Sequence, residues 1–134
     1  MGPDRTQALV QAGYWSFVPI LAAVLMAVLG RQAAKGKLAR NSFVGIRTPS
    51  TTKSDAAWIA GHRAALRTVP LFVIAAVALT AALFGAALWA STIKIVIMLG
   101  FLSFGVVMAL LIWAAIVASK AAKAADEHGE GRKA

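Results

Sequence analysis

The chain has no cysteine and few acids. Without a thiol there is no disulfide, no thiolate metal site and no cysteine nucleophile. The 134 residues carry 5 Asp and Glu against 14 Lys and Arg, and three of those acids, Asp126, Glu127 and Glu130, fall in the C-terminal tail. That leaves Asp4 and Asp55. General acid–base chemistry needs paired carboxylates, or a histidine oriented by an acid, beside a pocket. A nucleophile elbow, a phosphate-binding loop and a metal triad are also missing. With His62 and His128 as the two histidines, a metal site is poorly supplied. The sequence reads as non-enzymatic, with no cofactor and no metal.

Charge is the second scarcity, and its distribution is sharper than its amount. The chain is 60% hydrophobic and 14% charged, with a mean hydropathy of +0.74. A soluble domain of this size needs far more polar surface. Three runs, 14–30, 69–90 and 95–119, contain no charged residue at all. Each is long enough to cross a bilayer as a helix, the first one only just. With no ionisable group at membrane depth, a proton relay or ion pathway through the core is disfavoured. Asp4 and Arg5 cancel at the start, and Gly30-Arg31 follows the first run, so this run is expected to be a retained anchor rather than a cleaved signal.

The expected fold is therefore all-α and integral to a membrane, with three transmembrane helices and a short interfacial helix before the second. Residues 1–13 form an extracytoplasmic N-terminal segment and 14–30 the first span, with Tyr14 and Trp15 at an interface and Pro19 near the first turn. A basic cytoplasmic loop covers 31–53, and an interfacial helix covers 54–68. Ser54 is its expected N-cap, with Asp55 in the first turn. The second span is 69–90, an external turn 91–94, the third span 95–119. The tail, 120–134, reads as a frayed helix disordered at its end.

A net charge of +9 would suggest nucleic acid in a soluble protein. Here the cations lie between and after apolar runs, so direct nucleic-acid binding is not expected and the positive-inside rule accounts for them. The stretch 31–68 holds eight basic residues against Asp55, the tail holds four, the second hairpin holds Lys94 and the N-terminal segment Arg5. Both rich regions fall on one side of a three-span chain, which places the N-terminus outside and the C-terminus in the cytoplasm. The expected partners are anionic inner-leaflet lipids and a protein met by the loop or by the second span; a homo-oligomer is open.

In the second span Ala78, Ala82 and Ala86 recur every four residues beside Ala81 and Gly85. Such rows let helices approach closely in lipid, so the row is either a contact face or a by-product of abundant alanine.

The loop carries the most information. Arg40-Asn41-Ser42-Phe43-Val44-Gly45-Ile46-Arg47-Thr48-Pro49-Ser50-Thr51 is followed by Ser54, Trp58, His62 and Arg63. Gly45 allows backbone conformations that other residues resist, and Pro49 holds Thr48 extended, so a defined fold-back is expected. Phe43 and Ile46 would dip into the interface. Arg47 either meets lipid phosphate, braces the loop through carbonyls, or contacts a partner. Trp58 and His62 share a helix face at i,i+4. His62 is read as hydrogen-bonded to backbone or loop beside Trp58, in preference to ligand, base or pH sensor.

This pattern, Arg40-Asn41 with Gly45-Ile46-Arg47-Thr48-Pro49, Thr51, Ser54, Trp58 and His62-Arg63, resembles that of the SdpI family of bacterial membrane proteins. Ser50 stands where that family often has tryptophan. The resemblance implies a helical membrane domain, protection against a secreted toxin and, by analogy with the founding member, membrane signalling through a sequestered repressor.

Overall fold

The computed structural model describes residues 3–40, 43–89 and 93–130. Four helices follow in order: α1 (Pro3–Ala34), α2 (Asp55–Leu66), α3 (Val69–Trp89) and α4 (Ile93–Glu130). No strand occurs among the described residues. Helices α1, α3 and α4 are long and apolar enough to cross a membrane, and α2 is the short helix before the second of them. At about 1.5 Å per residue, the 21 residues of α3 match a hydrocarbon core of about 30 Å. The 32 residues of α1 and the 38 of α4 overshoot it, so both helices continue into the flanking polar layers.

Both helices run on past the spans expected from the sequence. The helix α1 starts at Pro3, not near residue 14. Proline at the first position and Asp4 in the first turn favour a start there. Pro19 consequently lies in a helix interior, where its missing N–H leaves the Trp15 carbonyl without its usual donor. At the other end, α4 stays helical to Glu130. Alanines at 121, 122, 124 and 125 are strong helix formers, and Lys53 forms an ion pair with Asp126. Of the 91–94 turn, residues 91 and 92 lie outside the described residues.

The chain divides into two compact units. The first comprises Met1–Val24 with Pro70–Leu110. Its core is Ala8, Ala12, Leu83, Ala87 and Val96, with Leu9, Trp15, Ala86 and Leu99 packed around it. Small residues set the spacing: a Cβ on Gly100 would fall 2.2 Å from Trp15 Cδ2, so the indole lies directly on the α4 backbone. Its ring centroid is 5.0 Å from that of Phe101. Trp15, expected at an interface, is thus a packing residue in the interior of α1.

On α3 the buried positions are Phe72, Ala76, Leu83 and Ala87. The row read from the sequence lies largely on the other side. Ala78, Ala81 and Ala82 are exposed, a Cβ on Gly85 would meet open space, and Ala86 alone of the five joins the core. Leu71, Ile74 and Val77 are also exposed, the expected state of apolar side chains facing lipid.

Candidate functional site

The second unit, Leu25–Val69 with Leu111–Ala134, contains the loop. Its first turn follows from one glycine. Gly36 takes φ +70, its N–H donates to the Ala33 carbonyl at 3.0 Å, and the Lys37 N–H donates to Gln32 at 2.9 Å. This pair of bonds is a Schellman closure of α1. The chain then runs back across α2.

Helix α2 begins as its sequence suggests. Ser54 is extended (φ −145, ψ 163) and its hydroxyl accepts from the Ala57 N–H at 3.1 Å. The i,i+4 pair Trp58 and His62 is buried, 2% and 1% exposed, with ring centroids 4.2 Å apart. The Trp58 indole N–H donates to the Leu38 carbonyl at 3.0 Å, tying the start of the loop to the helix.

His62 ties down its middle. The Ile46 N–H lies 3.0 Å from His62 Nε2, and a backbone N–H can only donate, so Nε2 accepts. The ring proton then sits on Nδ1, where it donates to the Trp58 carbonyl at 2.8 Å. Both nitrogens are used in the neutral form. Burial pushes the His62 pKa below its ordinary 6.5, outweighing the hydrogen bond to Trp58, which raises it.

Gly45 makes this approach possible. Its φ is +112, and a Cβ there would stand 2.9 Å from Trp58 Cη2 and 3.0 Å from His62 Nε2. After it, Thr48-Pro49-Ser50-Thr51-Thr52 closes a tight turn through hydroxyls. Thr51 Oγ1 accepts from the Thr48 N–H at 2.9 Å and donates to the Ile46 carbonyl at 2.8 Å. Thr52 Oγ1 donates to the Thr48 carbonyl at 2.9 Å. The turn is anchored to α4 by Ser119, whose hydroxyl donates to Thr48 Oγ1 at 2.9 Å.

Three arginines hold the edges. Arg40 Nη1 donates to the carbonyls of Thr52 at 3.0 Å and Lys53 at 2.8 Å, and its Nε is 3.3 Å from Asp55. Asp55 is largely exposed, so that ion pair adds little beside the two carbonyl bonds. Arg63 Nε donates to Ala34, at the end of α1, at 3.3 Å. Arg47 is exposed, its Nη1 3.4 Å from the Arg40 carbonyl.

The structure therefore gathers Arg40, Gly45, Ile46, Thr48, Thr51, Ser54, Trp58, His62 and Arg63 into one hydrogen-bonded platform, with Arg47 and Pro49 on its exposed surface. Phe43 does not pack within the chain; its side chain is fully exposed. Asn41 lies outside the described residues. Two contributors were not singled out in the sequence. Gly61 lets the turn and α4 reach α2, since a Cβ there would fall 2.8 Å from Thr51 Cγ2 and 3.0 Å from the Ala118 carbonyl. A glycine inside a helical pattern signals such close packing. Ser119 carried no signal, being one hydroxyl at the end of an apolar run.

Among the described residues, no group of three or more histidines and acids is placed to hold a metal ion. What the site offers is a rigid, cationic, shaped surface on a helical multi-pass membrane protein. The family model of the SdpI/YfhL proteins matches residues 37–119, which takes in the loop, α2, α3 and α4 as far as Ser119. The chain belongs to the SdpI/YfhL protein family. No curated protein and no solved structure matches it significantly.

Proposed function

We propose that the loop–α2 platform is the working surface of an SdpI-like membrane protein, acting in toxin immunity, membrane signalling or both by docking a partner at the cytoplasmic face. On this reading the protein is a non-enzymatic, multi-pass component of a bacterial inner membrane, N-terminus outside and C-terminus inside. The observation that carries the reading is the convergence of the motif residues on one network, in which Trp58 and His62 pin the loop so that Arg47 and Phe43 are presented outward. A loop serving merely as bulk positive charge would not need a glycine at φ +112 or two buried rings.

The test is deletion of the gene followed by challenge with the family's type of secreted toxin, with transcription read in parallel. Unchanged sensitivity together with unchanged transcription removes the reading. In cells that respond, Arg47→Ala and Trp58→Ala are expected to impair protection more than Lys35→Ala or Lys37→Ala. Equal effects at all four would reduce the platform to its charge.

A second reading has its own observation. The exposed Ala78, Ala81 and Ala82 with the open space over Gly85 suit a helix supplied by another protein, which would make the chain an accessory subunit of a larger membrane complex. Purification in mild detergent separates the two readings: a chain that runs alone or as a homodimer, with no stoichiometric companion, excludes the subunit.

A further inference from the structure

Helix α4 carries a second feature that neither reading above uses. Ile112, Ala115, Ile116, Ser119, Lys120 and Lys123, together with Thr48, line one groove of about 440 Å³. The helical positions are spaced i, i+3, i+4, i+7, i+8 and i+11, a single continuous stripe. Along it the chemistry changes in order: branched apolar side chains, then the Ser119–Thr48 hydroxyl pair at 2.9 Å, then two ammonium groups. The stripe from 112 to 123 covers about 16 Å of helix, comparable to the distance from upper acyl chain to headgroup phosphate.

The charge at its polar end is open to a ligand. Among the described residues neither Lys120 nor Lys123 has a carboxylate within ion-pair distance. Asp126, one turn beyond Lys123, is engaged by Lys53 instead. Thr48 and Ser119, joined through their hydroxyls, line the same groove as the two lysines.

We infer that this groove is a binding site for one anionic phospholipid, its acyl chain along Ile112 and Ile116 and its phosphate held by Lys120 and Lys123 beside the Thr48–Ser119 pair. The inference deepens the partner part of the proposed function, because an anionic lipid here requires this end of α4 to leave the bilayer at an anionic leaflet. The occupant is a lipid rather than free phosphate on charge and shape together. Two lysines supply point charges for a phosphate, while the apolar half of the groove has no use for an inorganic ion. A bound lipid would also lie against Thr48, and so couple the bilayer to the loop turn.

The test uses the full chain in mild detergent, titrated with phosphatidylglycerol or phosphatidylcholine and read by native mass spectrometry. The expected result is one retained phosphatidylglycerol and weak binding of phosphatidylcholine. Lys120→Gln with Lys123→Gln should weaken phosphatidylglycerol binding about 25-fold, at roughly fivefold per juxtamembrane cation. Lys120→Arg with Lys123→Arg should keep it, and Lys35→Gln with Lys37→Gln, the same charge loss elsewhere, should leave it unchanged. Equal weakening by the Lys35/Lys37 pair, loss in the arginine pair, no preference between the lipids, or displacement by inorganic phosphate would each overturn the site. The readout has no sidedness. Labelling of position 50 from outside intact cells would therefore refute the cytoplasmic orientation and leave the lipid site standing, whereas failed binding would leave the orientation untouched.

Discussion

At Gly45 two demands meet in one residue: a φ of +112 that side chains resist, and ring atoms 2.9 to 3.0 Å from where a Cβ would sit. Relaxing either one moves Ile46 away from His62. Gly45→Ala is expected to destabilise the protein by about 2 kcal/mol or more, from the strained backbone and the lost bond together. Gly13→Ala is the matched control, because a Cβ there meets nothing within 4 Å; in mid-helix it should be neutral or stabilise by up to about 1 kcal/mol. Thermal unfolding in detergent reads both. His62 makes the same joint sensitive to pH. Its ring accepts from Ile46 when neutral, and burial holds its pKa below the ordinary 6.5. The unfolded chain therefore takes up the proton first, so its contribution to stability is complete above pH 6.5 and is lost progressively as pH falls below that value. A His62→Gln variant should show a flatter profile across this window. An unchanged slope would place the titration elsewhere.

Among the elements, α1, α3 and α4 each contain a polar side chain that the fold does not satisfy. Ser103 is fully buried, yet its hydroxyl, that of Thr80 and the Trp15 indole N–H have no hydrogen-bond partner among the described residues. Ser16 shows the alternative, its hydroxyl donating to the Ala12 carbonyl at 2.7 Å. A buried hydroxyl with no partner contributes nothing that a methyl group would lack. Ser103→Ala should thus leave stability unchanged or raise it, again by thermal unfolding, and a loss of more than about 1 kcal/mol would reveal a bonded partner such as an internal water. The elements themselves were legible in the sequence, since three uncharged runs admit little besides three spanning helices, and Ser54-Asp55 marked the start of α2. Their extents were less so. Hydropathy reports the lipid-facing part of a helix and is silent about its polar continuation, which is why α1 begins at Pro3 and α4 ends at Glu130 where composition suggested a segment and a frayed tail. The Ala78–Ala86 row shows a related limit: periodicity locates a face but not what covers it.

For the whole molecule the same limit applies to the platform. Motif spacing along one chain brought Trp58 and His62 to one face and flagged Gly45, but the bonds to Leu38, Ala34 and Ser119 join residues 20 to 71 positions apart, and no local pattern encodes them. Sidedness, by contrast, is a property of charge counts. Eight cations between the first and second spans and four in the tail stand against Lys94 and Arg5 on the other side, and the cost of carrying such a loop across the bilayer is what orients multi-pass chains. The chain makes this directly measurable because it has no cysteine of its own: a single introduced thiol is the sole target of a maleimide. In chain order Ser50, at the surface turn, precedes α3, and Lys94, exposed at the start of α4, follows it. Ser50→Cys should be labelled by an impermeant maleimide after permeabilisation alone, and Lys94→Cys in intact cells. The reversed pattern would put the platform outside, where an extracellular toxin could meet Arg47 directly and a cytoplasmic repressor could not, and immunity by contact would replace signalling as the reading to pursue.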